Sequence, residues 1–190
     1  MLQDFLRYIN TIYPVDEALK NNLIQRTEII ELPRKTHILR DGQRPDYVWM
    51  VLSGMLRAYY IKDGLEICSS FMQERHLIVS VNGFYSRTPG YEYIETLEDS
   101  ILARIHYDSL QQLYREHLEF NFIVRVLTES YTMLGEERLF LLRKQTAEER
   151  YQHILQHEPE LIQRVPLKYI ASFLGMNLET LSRIRKKISE

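Results

Sequence analysis

The sequence has a single cysteine and no long apolar run, and each scarcity excludes a class of protein. Cys68 alone cannot form a disulfide within the chain, and it cannot supply the several thiolates that hold an iron–sulfur cluster. No stretch approaches the roughly 20 apolar residues of a membrane-spanning helix. Residues 1–14 are amphipathic and lack the basic start and apolar core of a signal peptide. We therefore expect a cytoplasmic protein without membrane contact and without a cofactor.

The chain also has little net charge, and that charge is unevenly distributed. The total over 190 residues is −2, yet residues 161–190 contain six basic and two acidic side chains, a net charge of +4. The rest of the chain then carries −6. A basic module joined to an acidic body is typical of a small nucleic-acid-binding domain, because only the face that meets phosphate gains from positive charge. A solvated, charged C-terminal segment is the alternative.

Residues 27–106 are rich in short β-type runs separated by turn residues. The predicted strands are Thr27–Leu32, His37–Leu39, Tyr47–Leu52, Met55–Ile61, Glu66–Met72, Leu77–Val81, Tyr91–Leu97 and Ser100–Ile105. Asp63-Gly64 is placed where a two-residue hairpin loop belongs. The spacing leaves no room for crossover helices, so the strands must pair antiparallel. The sequence thus predicts an α+β protein with an N-terminal antiparallel jelly-roll barrel.

Helical periodicity flanks the barrel on both sides. We predict short helices at 2–12, 16–26 and 107–117, and a longer helix at 118–144. The long helix has two apolar faces, and one of them follows a seven-residue repeat that suits a second subunit. The predicted dimer contacts are Ile123, Leu127, Ser130, Leu134 and Leu141. The alternative is one wide face that packs only against the chain's own core.

The last forty-six residues are predicted to form a separate helical unit. Thr146 and Glu149 make a capping box for a helix to about His157, which we take as the domain hinge, and a Pro-containing link follows at 158–165. Pro166 then opens a helix. Gly175 suits the turn, Asn177 suits the N-cap of a second helix, and that helix is predicted to bury Leu178, Leu181 and Ile184. This arrangement predicts a helix-turn-helix, with an ordinary helical hairpin as the alternative.

The run Glu179-Thr180-Leu181-Ser182-Arg183 resembles the E-x-x-S-R recognition helix of the Crp/Fnr family of bacterial transcription regulators. The segment YVWMVLSGMLRAYYI, residues 47–61, resembles the central hairpin of cyclic-nucleotide-binding barrels. The resemblance implies that Glu179, Ser182 and Arg183 read a TGA-containing half-site. We expect phosphate contacts from the polar and basic residues around them. These residues are Lys168, Asn177, Thr180, Arg185, Lys186 and Lys187.

The family resemblance also implies an organisation and a set of partners. We expect a sensor domain at 1–117, a dimerisation helix at 118–144 and a helix-turn-helix domain at 145–190 whose wing is truncated or absent. The expected partners are double-stranded DNA on a palindromic site, a second copy of the chain, RNA polymerase and a small-molecule effector. No catalytic activity is expected.

The effector is expected to differ from cyclic AMP. The family's barrel binds that ligand through a glutamate and an arginine about ten residues apart, and ungapped alignment puts Ser80 and Gly90 at those positions. A gap in the alignment would let Glu74 and Arg87 take their places. The effector pocket is predicted at Arg57, Tyr59, Phe71 and Arg87.

The rival interpretation is a barrel-based small-molecule sensor, or a cupin-like metalloenzyme, without DNA binding. A cupin metal site needs two histidines one residue apart and an acidic ligand soon after them. No such histidine pair occurs in the chain, and His37, His76 and His106 are far apart. We therefore expect no metal site.

Overall fold

The computed structural model describes residues 2–189 and contains the predicted barrel. The strands are β1 (Glu28–Leu32), β2 (His37–Leu39), β3 (Tyr47–Ser53), β4 (Leu56–Lys62), β5 (Leu65–Met72), β6 (Leu77–Ile78), β7 (Tyr93–Thr96) and β8 (Ser100–His106). They form two antiparallel four-stranded sheets, in the orders β1-β8-β3-β6 and β2-β7-β4-β5. The α+β jelly-roll prediction is confirmed, and most strand boundaries lie within two residues of those predicted.

The helices follow the predicted order with two additions. They are α1 (Leu2–Ile12), α2 (Glu17–Arg26), α3 (Val81–Ser86), α4 (Tyr107–Glu116), α5 (Leu118–Lys144), α6 (Ala147–His157), α7 (Pro159–Arg164), α8 (Leu167–Phe173) and α9 (Leu178–Ser189). Neither α3 nor α7 was predicted. The Pro-containing link predicted at 158–165 is mostly helical, because Pro159 occupies the first turn of a helix, where its missing N–H costs nothing.

Local sequence signals account for several turns and helix starts. Asp63 and Gly64 have φ values of 52° and 77°, as a two-residue type I′ hairpin between β4 and β5 requires. The capping box at α6 is present in both directions between Thr146 and Glu149. Asp16 accepts a hydrogen bond from the Leu19 amide and so caps α2.

The first sheet and the N-terminal helices share one core. Leu6 and Ile9 of α1 are buried with Phe84 of α3, and Ile123 of α5 is completely buried among them. Between the two sheets lies a second core, to which β4 contributes Leu56 and Ala58. These cores fix α5 along one side of the barrel, with its first turns packed against the chain's own helices.

A third core joins the barrel to the helix-turn-helix. Tyr59, Cys68 and Phe71 of the second sheet are buried together with Ile170 and Leu174 at the C-terminal unit. Helix α8 packs directly on β5. Strands β4 and β5 are therefore covered on both faces, by the barrel interior on one and by the C-terminal helices on the other.

Polar groups at the edge of this third core are paired across it. The Arg164 guanidinium contacts Glu74 at 2.8 Å and Glu98 at 2.7 Å. Glu74 also accepts the Gly54 amide at 2.8 Å. Chiefly because of the hydrogen bond from Arg164, the pKa of Glu74 falls to about 2. Since Arg164 ends α7, these pairs attach the C-terminal unit to the turns of the barrel.

Candidate DNA interface and barrel cavity

The turn between α8 and α9 has the geometry of a helix C-terminus closed by glycine. Gly175 has a φ of 67°. Its amide donates to the Ser172 carbonyl, and the Met176 amide donates to the Ala171 carbonyl, at 3.1 and 3.0 Å. This pair of bonds is a Schellman motif, which satisfies the last carbonyls of α8 and requires a residue that adopts positive φ without strain.

Helix α9 begins as the sequence indicated, with one correction at its first turn. The Asn177 side chain accepts the Thr180 amide at 2.8 Å, so Asn177 is the N-cap. Leu181 and Ile184 are buried. Leu178 was predicted to be buried too, but it is 42% exposed, because the first turn of α9 extends beyond the core that receives the later turns.

The three predicted base-reading residues lie on the exposed side of α9. Glu179, Ser182 and Arg183 are all exposed, and Arg183 is within 3.3 Å of the Thr180 hydroxyl. The side of α9 opposite Leu181 and Ile184 is thus polar and open to solvent. This geometry places the three residues on one accessible face and leaves their role in reading bases a prediction.

The predicted phosphate-contacting residues surround this face without forming one cluster. Lys168 is exposed on α8, and its ammonium lies 4.7 Å from the centre of the Tyr169 ring. Lys187 is 2.7 Å from the Glu148 carboxylate, and Lys186 is exposed. Arg185 and Thr180 are half-buried. Part of the positive charge is therefore already paired within the chain.

Two arginines outside the motif hold the end of α8, and the sequence analysis missed both. Arg138 of α5 donates to the Phe173 carbonyl at 3.1 Å, and its guanidinium lies 3.6 Å from the centre of the Phe173 ring. Arg150 of α6 donates to the Leu174 carbonyl at 2.8 Å. Burial lowers the pKa of Arg138 to about 10. Only tertiary contact identifies these residues, because neither is part of a local sequence pattern.

The predicted dimer residues of α5 divide into two groups. Ile123 is completely buried in its own chain, so its prediction as a contact with a second subunit was wrong. The cause is that the first turns of α5 cover the core under α1 and α4. Leu127 and Leu141 are half-buried, Ser130 is exposed, and Leu134 is 62% exposed.

The second half of α5 leaves large apolar side chains in solvent. Exposed residues of this kind are Tyr131, Met133, Leu134, Leu139, Phe140 and Leu142. At 100° per residue, Tyr131, Leu134, Leu139 and Leu142 lie toward one side of the helix, and Met133 and Phe140 lie toward the other. Exposed large apolar groups at this density are typical of an interaction surface. Its position on a 27-residue helix, which is about 40 Å long, matches the predicted dimerisation segment.

A cavity of about 680 Å³ opens between the two sheets. Its polar lining includes His37, Asp46, Ser80 and Arg104, and Trp49 is among its apolar residues. The Arg104 guanidinium contacts Glu28 at 2.8 Å and lies 4.1 Å from the centre of the Tyr47 ring. The volume is within the range of small-molecule sites.

The four residues predicted for the effector pocket do not line this cavity. Arg57, Tyr59 and Phe71 lie at the contact with the C-terminal helices, because they occupy the opposite face of the second sheet. Arg87 is held by Asp46 and by the Pro45 carbonyl, and stacks on the Tyr107 ring. The structure therefore does not bring the four residues together at this cavity.

Ser80 and Gly90, by contrast, lie close together, and Ser80 lines the cavity. A Cβ atom on Gly90 would be 3.4 Å from the Ser80 hydroxyl. Glu92 also forms a hydrogen bond with Ser80, and burial raises its pKa. Glu92 was not predicted from the sequence, because no local pattern distinguishes it.

Within residues 2–189, one group of side chains could converge on a metal ion. Potential ligand atoms of Asp16, His117 and Glu119 lie within 4.8 Å of one another. The His117 ring nitrogens already contact Asn22 at 2.9 Å and Glu119 at 3.3 Å. These contacts account for the cluster as a polar link between α2 and the start of α5. No helix in the same range is both long and apolar enough to span a bilayer.

Comparison with known proteins agrees with this architecture. Residues 29–117 match the family model of the cyclic nucleotide-binding domain. The comparison with curated proteins gave no match. Among solved structures, FixK2 from Bradyrhizobium japonicum superposes with a TM-score of 0.72 at 20% identity, over 86% of this chain and 84% of that one.

Two further structures show the same likeness over nearly the whole chain. The c-di-GMP responsive global regulator CLP of Xanthomonas campestris gives a TM-score of 0.72 at 19% identity and covers 92% of both chains. The catabolite activator protein of Thermus thermophilus gives 0.58 at 15% identity, over 94% of this chain and 85% of that one. The barrel, the long helix and the helix-turn-helix thus recur together. The chain therefore has the fold of these proteins, and its residues 29–117 match the cyclic nucleotide-binding domain.

Proposed function

We propose that this chain is a sequence-specific DNA-binding transcription regulator that acts as a homodimer and responds to a small molecule other than cyclic AMP. The observation that supports this most directly is the exposed face of α9, where Glu179, Ser182 and Arg183 project from a helix-turn-helix closed by a Schellman turn. Crp/Fnr-type regulators of this architecture are transcription factors. RNA polymerase as a partner stays a prediction.

The chemistry of the face suits the edges of base pairs. An arginine guanidinium can donate two parallel hydrogen bonds to O6 and N7 of guanine, and a glutamate can accept from the N4 amine of cytosine. Arg183 lies one turn after Glu179, so both can reach neighbouring base pairs in one major groove. The Asn177 cap and the buried Leu181 fix the helix from which they project.

The surrounding lysines suit the DNA backbone and not the bases. Lysine is a mobile point charge, which attracts phosphate without distinguishing sequences. Because Lys187 is paired with Glu148, binding DNA through Lys187 requires that this contact be exchanged for one to phosphate. Lys168 on α8 and Lys186 on α9 extend the basic surface on both sides of the recognition face.

A dimer follows from the apolar face of α5 and from the expected palindromic site. Leu134 and its exposed neighbours would be covered if the same face of a second copy packed against them across a two-fold axis. Two recognition helices related by that axis would then meet two half-sites one helical turn apart. Leu134, the most exposed of the predicted apolar dimer residues, is the centre of the proposed contact.

The barrel cavity is the proposed effector site, and it is poorly suited to a cyclic phosphate. A buried phosphate needs a fixed cation, and neither Ser80 nor Gly90 provides one. Arg87 is already paired with Asp46, and Glu74 is already paired with Arg164. Neither residue therefore replaces the missing cation or the missing carboxylate. Arg104, which lines the cavity, is already paired with Glu28.

The first prediction separates base reading from phosphate attraction. Arg183→Ala should lower the preference for a TGA half-site over a mismatched one by about 5- to 150-fold, because a bidentate contact contributes about 1–3 kcal/mol of discrimination. Lys186→Ala should weaken both sequences equally and reduce the salt slope by about 0.9. Fluorescence anisotropy titrations at several salt concentrations measure both effects. Full TGA preference in the Arg183→Ala protein would contradict the assignment.

The second prediction concerns the dimer. Leu134→Glu should convert the dimer to a monomer, because two carboxylates would face each other in an apolar contact at the two-fold axis. Leu65→Glu is the matched control, since Leu65 is 66% exposed on the β4–β5 hairpin and outside the proposed contact. Light scattering gives the masses. A dimeric Leu134→Glu protein, or a monomeric Leu65→Glu protein, would show that the interface lies elsewhere.

The third prediction concerns the cavity. Isothermal titration with cyclic AMP and cyclic GMP should give no saturable heat at submillimolar ligand. The missing cation and the missing carboxylate acceptor should each cost at least about tenfold in affinity. Micromolar saturation that is lost in Arg87→Ala would mean that Arg87 leaves Asp46 to bind the phosphate, and the proposal would then fail.

A further inference from the structure

Strand β2 at the edge of the second sheet borders two different environments. Its register shifts between His37 and Leu39, so that His37 is paired with Glu95 while Leu39 is paired with Ile94. A bulge of this kind changes the face to which a side chain points. Leu39 is buried in the barrel interior and lines the cavity, whereas the His37 imidazole contacts Tyr59 and Glu95. Both residues are among those that border the cavity.

From His37, an unbroken series of contacts leads to the helix-turn-helix. The His37 Nε2 atom lies 2.9 Å from the Tyr59 hydroxyl and 3.3 Å from the Glu95 carboxylate. Glu95 accepts from Arg57 Nε at 2.7 Å. The Arg57 guanidinium is stacked between two rings, 4.0 Å from the centre of Tyr59 and 3.8 Å from that of Tyr169 in α8.

Burial makes this series stiff. Arg57 is 1% exposed, and its second carboxylate partner is Glu66 at 2.7 Å. The Ser172 hydroxyl of α8 donates to the Glu66 carbonyl and accepts the Cys68 amide, so backbone bonds reinforce the stack. A buried cation cannot lose one of these partners without a large cost, so a movement of Glu95 must be followed by Arg57 and by the Tyr169 ring above it.

The charge state of His37 suits a hydrogen-bonded link. Burial and nearby Arg40 lower the pKa of His37, and Arg57 acts in the same direction, while Glu95 and Glu66 oppose them. Burial raises the pKa of Tyr59 to about 12, so its hydroxyl is protonated at neutral pH. A neutral imidazole beside a protonated hydroxyl forms a directional contact whose geometry depends on the position of β2.

We propose that strand β2, through His37, is the element by which occupancy of the barrel cavity changes the position of the helix-turn-helix. This rests on the proposed function in taking the cavity as the effector site. A molecule bound in the cavity displaces Leu39 and its strand. His37 then shifts relative to Glu95, and the Arg57–Tyr169 stack transmits the shift to α8 and hence to the recognition face of α9.

The test imitates an occupied cavity with a larger side chain. Leu39→Phe fills part of the cavity from β2, and Ile30→Phe fills part of it from β1 in the other sheet. Hydrogen exchange of the α8 amides should change by about fivefold or more in Leu39→Phe, the lower limit of typical coupling, and stay within twofold in Ile30→Phe. The Leu39→Phe effect should disappear when His37→Gln is added. Equal effects of the two Phe variants, or an effect that survives His37→Gln, would overturn the proposal.

A double-mutant cycle decides the question if Leu39→Phe does not fold. The cycle combines His37→Gln with Tyr169→Leu, two residues that are linked only through others. The effect of the double variant on the exchange rates of the α8 amides should differ by about fivefold from the product of the two single effects. Arg104→Gln with Tyr169→Leu is the control, because Arg104 borders the same cavity from the first sheet and should be independent. Independence of His37 and Tyr169 would overturn the proposal. No DNA is present, so failure here and failure of DNA binding are separate results.

Discussion

The buried ion pair between Arg57 and Glu95 is the constraint on which the arrangement of this molecule depends. A guanidinium with 1% exposure is tolerated only because two carboxylates and two aromatic rings surround it. One ring and the hydroxyl that orders the nearby backbone come from α8. Groups of the helix-turn-helix therefore complete the surroundings of the Arg57 guanidinium. Removal of one partner from a buried ion pair lowers the free energy of unfolding by about 3–5 kcal/mol.

This constraint explains why the second sheet is covered on both faces. Leu56 and Ala58 face the barrel interior, while Arg57 and Tyr59 face the C-terminal helices. Arg138 and Arg150 add bonds from α5 and α6 to the end of α8. The exposed face of α9 is then open to solvent, while the end of α8 behind it is held by α5, by α6 and, through Ser172, by β5. Helix α5 also carries the proposed dimer contact, so Arg138 connects that contact to the proposed recognition face.

Much of the fold could be predicted because its signals are local. The Asp63-Gly64 hairpin, the Thr146 capping box and the Gly175 turn each depend on residues within a few positions of one another. Alternation along β4 likewise predicts that Arg57 and Tyr59 share a face. It does not predict which face, and the two residues predicted for the effector pocket lie instead at the contact with the C-terminal helices. The burial of Leu178 and Ile123 and the formation of α7 were also not predicted correctly. Each of them depends on which other residues pack against that part of the chain.

The residues of the cavity were harder to predict than those of the exposed face of α9. Glu179 and Arg183 are recognised by spacing within one helix, whereas His37, Trp49 and Arg104 come from three strands. The register shift in β2 also reverses the alternation that a regular strand would show. Prediction from spacing thus places side chains correctly on one face of a single helix, as for Glu179 and Arg183, and is weak for any site assembled from several strands.

A heating experiment tests most directly whether the barrel and the helix-turn-helix are one structural unit. Trp49, the single tryptophan, lies in the barrel and reports its unfolding by fluorescence. We predict one calorimetric transition that coincides with the change in Trp49 fluorescence, because the buried Arg57 site and the third core cannot open on one side alone. An earlier, separate transition that leaves Trp49 fluorescence unchanged would show that the C-terminal helices melt independently, and would contradict the account.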